Sequence, residues 1–449
     1  MSGRVDFSLD FTTRTAQLKA NPDRPYRIYI LGCFSGASDN PGTPCKIHKI
    51  DRDTFEQVMA EMAPRVEIDT GISLTFAALE DFHPDAWLHK VTMINDLLLL
   101  KAQLQNPLTA AQATAKIQAF LSTEAAIDLV DSTNVVESQS DMLQRLLGKV
   151  PETQLSTTAS LEGFIKTMVA PHVLQTMQPQ SQQLIAIIDT TVSQIARNIL
   201  HNPLFQALEA LWRGTDGLLN EEAAERHSFY LLDMGQIELS TEIKIDPQAF
   251  SQILLQHIQK SDAEQNVLLV GDYSFSGGAE DNALMAYCAN LADACNGQFL
   301  ATVDQAFLQL LPDLEVGPIN ETNSLMLVYP RYLLRLPYGN KRDPIDTFAF
   351  EECAVPPEML ELLWGNAAFL AARTLLRMTE DDVSGDAQFF GDTPAFSFEK
   401  AGESTLQPGT EVILTEAQAN NILQKGIMPL IGYHQQRGIR LLGITNFFD

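Results

Sequence analysis

Basic side chains are scarce in this chain. Thirty Lys and Arg stand against fifty-seven Asp and Glu in 449 residues, a formal net charge of −27, and the sequence pI is about 4.6. Phosphate contacts need clustered Lys and Arg, so general nucleic-acid binding is excluded. Peripheral binding to anionic membranes is excluded on the same ground. Cysteine is also sparse. The five residues Cys33, Cys45, Cys288, Cys295 and Cys353 are odd in number and follow no metal-like spacing, which argues against a disulfide framework or a zinc site. Long apolar runs are missing. Stretches such as Leu97 to Leu100 fall far below the roughly 20 residues that a membrane span requires. Met1 to Phe11 shows no cationic start followed by an apolar run, so no signal peptide is visible. A soluble, reducing, cytoplasmic setting is expected. No tandem repeat or low-complexity tract is present.

What the chain does contain is material for a core. Hydrophobic residues make up 45% and charged residues 19%, the balance of a globular protein. The length suggests roughly three domains, or two with a long connector. The acidity is uneven: residues 200–330 carry 19 acidic and 4 basic side chains, more than half of the total imbalance in under a third of the chain. That region reads either as a solvated, self-repelling surface or as an electrostatic docking face for a basic partner.

Residues 1–105 read as a small α/β unit. Arg27 to Leu31 is a strand closed by Gly32-Cys33-Phe34-Ser35-Gly36. Asp53, with Glu56 as capping-box partner, is the expected start of a helix that ends at Pro64. Glu67 to Phe76 is expected to be a strand, and Pro84 to open a helix running to about Leu104. Residues 106–180 read as a mostly helical connector, carrying a short apolar stripe of Met142, Leu143, Leu146 and Leu147. Such a stripe serves either as a docked piece of core or as a partner-binding helix.

Residues 181–449 read as a larger α/β unit. Leu184, Ile188, Val192, Ile195 and Ile199 mark one face of a helix. Asn202-Pro203 starts a second helix with Phe205, Leu208, Leu211 and Trp212, expected to stop at Gly214. Strand-like runs at Ser228–Leu232, Asn266–Val270, Gln298–Val303 and Leu325–Tyr329, with a helix from Asn282 to Cys295, predict a parallel sheet. Further on, a helix is expected around Glu358 to Leu375, with strands near Ala395–Phe398, Glu411–Leu414, Ile427–Tyr433 and Ile439–Gly443.

Chemistry-bearing patterns fail one by one. Gly271 to Gly278 follows a strand and precedes a helix as a phosphate cradle would, but no Lys-Ser or Lys-Thr pair follows, so a plain βα turn is the better reading. The eight His are scattered and form no HxxxH, which leaves a metal site unsupported. No GxSxG elbow is present. A hydrolase using Asp272 and the glycine turn is the remaining enzymatic reading. Nothing assembles a nucleophile, a base and an oxyanion site. No catalytic residue, cofactor or metal is expected, and a binding or structural role is favoured.

Specific strings then become informative. Gly32-Cys33-Phe34-Ser35-Gly36, Ile50-Asp51-Arg52-Asp53-Thr54-Phe55 and Asp81-Phe82-His83-Pro84-Asp85 resemble the small subunit of the type VI secretion contractile sheath. From about residue 180 the chain resembles the large sheath subunit. That resemblance rests on His201-Asn202-Pro203-Leu204-Phe205, Leu211-Trp212-Arg213-Gly214, Gly271-Asp272-Tyr273-Ser274-Phe275, the run Pro330 to Gly339, and Leu363-Trp364-Gly365-Asn366-Ala367. The chain therefore looks like a fusion of the two subunits, with sheath-type mixed α/β domains.

The resemblance implies a structural protein that acts by assembly. Sheath subunits stack as rings around an inner tube, exchange strands, and contract from a strained extended state. A hexameric AAA+ unfoldase recycles the contracted form by gripping a short helix near the start of the large subunit. Implied partners are other sheath subunits or the chain itself, the inner tube, the baseplate and that unfoldase. Leu143, Leu146 and Leu147, with Met142, are the candidate unfoldase contact. Arg331 and Arg335 flank an apolar strand and can pair with Glu351-Glu352, while Trp364 opens an apolar helical surface with Ala367, Ala368 and Ala371. Core packing and an assembly interface explain these three equally well. Large sheath subunits normally extend past the point matching Ile427 to Tyr433. Fusion also joins two ends that take part in strand exchange. Altered or reduced polymerisation is therefore expected, the alternative being a full single-chain sheath subunit.

Overall fold

The computed structural model describes residues 24–36, 45–68, 71–106, 108–117, 181–259, 265–310, 324–378, 388–400, 402–433 and 437–444. The stripe Met142, Leu143, Leu146 and Leu147 lies outside the described residues.

A central mixed sheet organises the protein. Among the described residues, its nine strands run in the spatial order β11-β15-β14-β8-β7-β6-β1-β5-β2. The first strand, β1 (Tyr26–Gly32), is buried along its whole length. It pairs in parallel with β5 (Ser228–Asp233) on one side and β6 (Asn266–Phe275) on the other. Beyond β6 the parallel run continues through β7 (Gly297–Val303), β8 (Leu325–Tyr329) and β14 (Ile427–Gly432). Antiparallel strands close both edges: β2 (Ile47–Ile50) against β5, and β15 (Ile439–Leu441) followed by β11 (Phe389–Phe390) beyond β14. Segments 1–105 and 181–449 thus share one sheet, because an apolar strand such as Arg27–Leu31 has two faces and two ladders to satisfy.

Alternation along β1 assigns those faces. Ile28 and Ile30 enter one core, together with α2 (Thr92–Gln105), α3 (Ser181–Leu200), α4 (Pro203–Leu219) and α8 (Ala367–Arg377). Tyr29 and Leu31 enter the other, with α5 (Gln236–Ile245), α6 (Ala249–Gln259), α7 (Ala279–Ala294) and α9 (Glu416–Gln424). The result is a helix–sheet–helix sandwich.

Several sequence expectations hold. Leu184, Ile188, Val192, Ile195 and Ile199 are all buried, and Asn202 caps α4 by accepting from the Leu204 and Phe205 amides. Others need correction. Gly214 does not stop α4, which runs to Leu219; a Cβ there would lie about 3.0 Å from the Phe369 ring, so the glycine permits close packing against α8. The helix α1 (Phe55–Met62) is entered at Thr54 rather than Asp53, and no side-chain capping bond is made there. The expected strand at Glu67–Phe76 is a hairpin, β3 (Arg65–Ile68) and β4 (Ile72–Thr75). The helix expected from Pro84 is a single turn, Pro84–Trp87, separated from α2.

Around residue 360 a short 3-10 turn and a two-residue strand, β10 (Trp364–Gly365), precede α8. Trp364 therefore does not open a helical surface. β10 pairs with β9 (Tyr332–Leu333). Glu411–Leu414 is not a strand; instead Glu403–Gln407 (β13) pairs with Phe396–Lys400 (β12). Gly36 takes a left-handed φ of 74°, and a Cβ would lie 2.1 Å from the Arg65 carbonyl oxygen. Only glycine fits where this turn touches β3.

Candidate functional site: the joint between the two parts of the chain

The resemblance-bearing strings, far apart in sequence, meet in space. Trp212 on α4 packs edge-on against Phe34 (ring centroids 5.1 Å) and Phe55 (5.7 Å). Its indole Nε1 donates to the Phe34 carbonyl at 3.1 Å. One helical turn and more toward the N-terminus of α4, Phe205 meets Phe76, Phe82 and Trp87 at centroid distances of 5.7, 5.7 and 6.2 Å. All seven of these residues are buried. An aromatic seam of this kind contributes area burial plus roughly 0.5–1.5 kcal/mol for each well-oriented ring pair.

Beside the seam lies a buried ionic node. Glu209, fully buried on α4, accepts from Arg335 Nε at 2.8 Å and from Arg213 Nε at 2.7 Å. Arg335 also donates to Glu352 Oε2 at 2.7 Å, and Glu352 accepts from the Tyr338 amide at 2.7 Å. The Arg335 guanidinium lies 4.0 Å from the centre of the Tyr338 ring. Burial alone would raise the Glu209 carboxyl, but Arg335 and Arg213 outweigh it and hold the group below its usual range. The alternating charges satisfy one another, as buried ions must.

A third contact ties the Asp81–Asp85 string to the loop after Gly339. Asp85 accepts from the Asp346 amide at 3.0 Å and from Thr347 Oγ1 at 3.1 Å. His83 lies 3.6 Å from Asp85 and 3.7 Å from Asp343.

Of the residues singled out from sequence, Arg335 enters the node and takes Glu352 as one partner. Arg331 pairs with Glu411, through contacts of 2.6 and 2.9 Å, and not with Glu351-Glu352. It lines a cavity of about 350 Å³ with Ser274, Asp304 and Tyr329. Trp364 is buried beside Leu333, Leu362 and Phe396, and its Nε1 donates to the Met359 carbonyl at 2.7 Å. Sequence reading missed Glu209. Its one signal was a carboxylate four residues after Phe205 and three before Trp212, on a helix face that is otherwise apolar. It also missed Glu221, which accepts from both Arg373 and Arg377 on α8.

Winding of the chain reverses at β1, and in open α/β sheets ligands favour the crevice beyond the strand ends at such a point. Here hydrogen bonds between protein groups cross that end of the sheet. Tyr273 Oη donates to the Met234 carbonyl at 2.8 Å, and Asn366 donates to the Tyr273 carbonyl at 3.0 Å. Asp272 precedes Tyr273 on β6, its carboxyl pushed up to about 6 by burial against the opposing pull of Asn366 and Arg331.

His227 provides a pH handle on the same sheet. Its Nδ1 accepts from the Tyr26 amide at 2.8 Å at the start of β1. Burial, then the Arg226 charge, lower its pKa from 6.5 to about 4. The native state keeps this ring neutral while the unfolded chain takes up a proton, so stability falls as pH drops from about 6.5 toward 4. His227→Gln, which retains an acceptor, is expected to flatten the urea midpoint against pH in that window. An unchanged slope would remove His227 from the acid response.

Comparison with known proteins agrees with this geometry. Residues 182–316 and 315–444 match the VipB family, described as EvpB/VC_A0108, tail sheath N-terminal domain. Residues 2–129 match the family described as type VI secretion system, VipA, VC_A0107 or Hcp2. The type VI secretion system sheath protein TssC1 of Pseudomonas aeruginosa is 24% identical over 361 residues, covering 70% of this chain and 71% of that protein. The sheath protein TssB1 of the same organism is 30% identical over 97 residues, covering 18% of this chain and 56% of that protein. The chain thus belongs to the type VI secretion tail sheath family, with a VipA-like part and a VipB-like part folded into one sheet, and is a structural component of that system.

Proposed function

We propose that this chain works as a single-chain sheath unit, in the cytoplasm, through assembly and contact and without catalysis. The observation that carries the reading is β1: a strand from the VipA-like part stands between two strands of the VipB-like part. Two pieces that correspond to separate relatives are thereby held at fixed one-to-one stoichiometry. Covalent joining leaves neither end at the junction free to exchange strands with a neighbour, so polymerisation is altered or reduced. Its partners are other sheath subunits or further copies of itself, the inner tube, the baseplate and a hexameric AAA+ unfoldase. Arg331, Arg335 and Trp364 serve this function by holding the contact surfaces in shape.

Electron microscopy of the purified protein tests the reading. Discrete particles or short rings are expected. Long tubules from the protein alone would overturn altered polymerisation in favour of a full single-chain contractile subunit. For the connector, Leu143→Asp with Leu147→Asp is expected to abolish pull-down of a type VI AAA+ unfoldase while leaving the circular dichroism spectrum unchanged. Undiminished pull-down would refute that contact.

A further inference from the structure

The excess of carboxylates in residues 200–330 has a focus in the fold. Helix α5 packs beside α7, and Gln236 Nε2 reaches the Ser274 carbonyl at 3.0 Å to hold its start in place. Its inner face buries Leu239. Its outer face presents Ile237 and Ile245, which are 84% and 78% exposed. Thr241, also exposed, falls between them at helical spacing, so the three form one outward stripe. Isoleucines this exposed are costly to leave in water when they are paired on a rigid helix face.

Around that stripe acidic side chains predominate. Glu238, Glu242 and Asp246 lie on or just after α5 and Glu280 and Asp281 at the start of α7, while Lys244 is the basic residue of α5. Lys244 is already committed to Glu280 at 2.7 Å. Burial first, then the carboxylates of Asp233 and Glu242, push the Glu238 carboxyl up. Glu238 and Glu242, four residues apart on α5, are like charges on one helix face.

We propose that the outer face of α5, with Ile237 and Ile245 as apolar anchors and Glu238, Glu242, Asp246 and Glu280 around them, docks a basic amphipathic protein segment. Charge complementarity selects this occupant. A neutral apolar partner would leave the carboxylates unanswered, and a second copy of this chain brings a net charge of −27. The proposal rests on the reading that the protein works by contact. Its test needs no polymer, so the two fail separately.

The test uses the full chain and two labelled synthetic peptides of equal charge, one of lysine and leucine in amphipathic helical order, one of lysine and serine. Fluorescence anisotropy is expected to show tighter binding of the lysine–leucine peptide, weakened by added salt. Ile237→Ser with Ile245→Ser, and separately Glu238→Gln with Glu242→Gln and Glu280→Gln, are each expected to weaken it by about tenfold or more, as central anchors do. These side chains are at or near the surface, and unchanged circular dichroism confirms the fold of each variant. Equal binding of both peptides, or wild-type affinity in the variants, would overturn the proposal. So would sedimentation showing that the isoleucine pair mediates self-association with no effect on the peptide, which would assign the face to a second copy.

Discussion

Producing residues 1–117 and 181–449 as two separate polypeptides is expected to give two species that do not fold alone and a soluble complex when they are made together. The reason is β1. Tyr26, Ile28, Tyr29, Ile30 and Leu31 are each at most 1% exposed, and both backbone edges of the strand are paired. Losing five such side chains forfeits on the order of 10 kcal/mol at about 2 kcal/mol each. Whole domains are stable by only about 5–15 kcal/mol. Without β1 the sheet has a slot between β5 and β6, and Trp212 and Phe205 lose Phe34, Phe55, Phe76, Phe82 and Trp87 as neighbours. Size-exclusion chromatography and cooperative urea unfolding read the outcome. A monomeric, cooperatively unfolding 181–449 piece would show that the VipB-like part is an autonomous domain and would sink the shared-sheet account.

Arg335→Met is expected to cost about 3–5 kcal/mol, because it strips partners from two buried carboxylates at once. Glu209 retains Arg213, and Glu352 retains the Tyr338 amide. Arg335→Lys is expected to fall in between, since one ammonium cannot reproduce a guanidinium fork that bridges both acids. The pH response carries a sign. With Arg335 present, the Glu209 pKa is lowered below 4.5. The stability this group contributes is therefore complete above its unfolded value and lost as pH falls through the lower folded value. Removing Arg335 raises the carboxyl, so acid unfolding of the variant should begin at higher pH. Urea midpoints across the acid range measure both effects, and a variant that matches wild type in midpoint and acid onset would mean that the node contributes nothing to stability. Glu209→Leu combined with Arg213→Met, Arg335→Met and Glu352→Leu is expected to recover much of the loss, since an apolar node leaves no buried charge unpaired.

Individual elements were legible where a local rule governs them. The apolar face of α3 follows from helical spacing, β1 from its β-branched and aromatic run, and the start of α4 from Asn202-Pro203. Legibility ended where a local signal had a distant cause. Gly214 looks like a helix stop but is an accommodation for Phe369. Trp364 looks like the first residue of a helical face but sits in a short strand against Leu333. For Arg331, the neighbouring acidic pair in sequence was the wrong partner; Glu411, eighty residues away, is brought beside it by the approach to β9. Sequence proximity says little about which ions meet, because ion pairing depends on where the sheet delivers each side chain.

By itself the sequence determined the α/β character, the family and the acidic balance, because these depend on composition, periodicity and short ordered strings. Tertiary structure alone decided that the two parts are one body. Strand order is a property of backbone ladders between residues about 200 apart, and no local pattern records which two neighbours a doubly buried strand will take. The same holds for the α5 face: composition located the excess of carboxylates in residues 200–330, but only packing against α7 turned Ile237 and Ile245 outward among them.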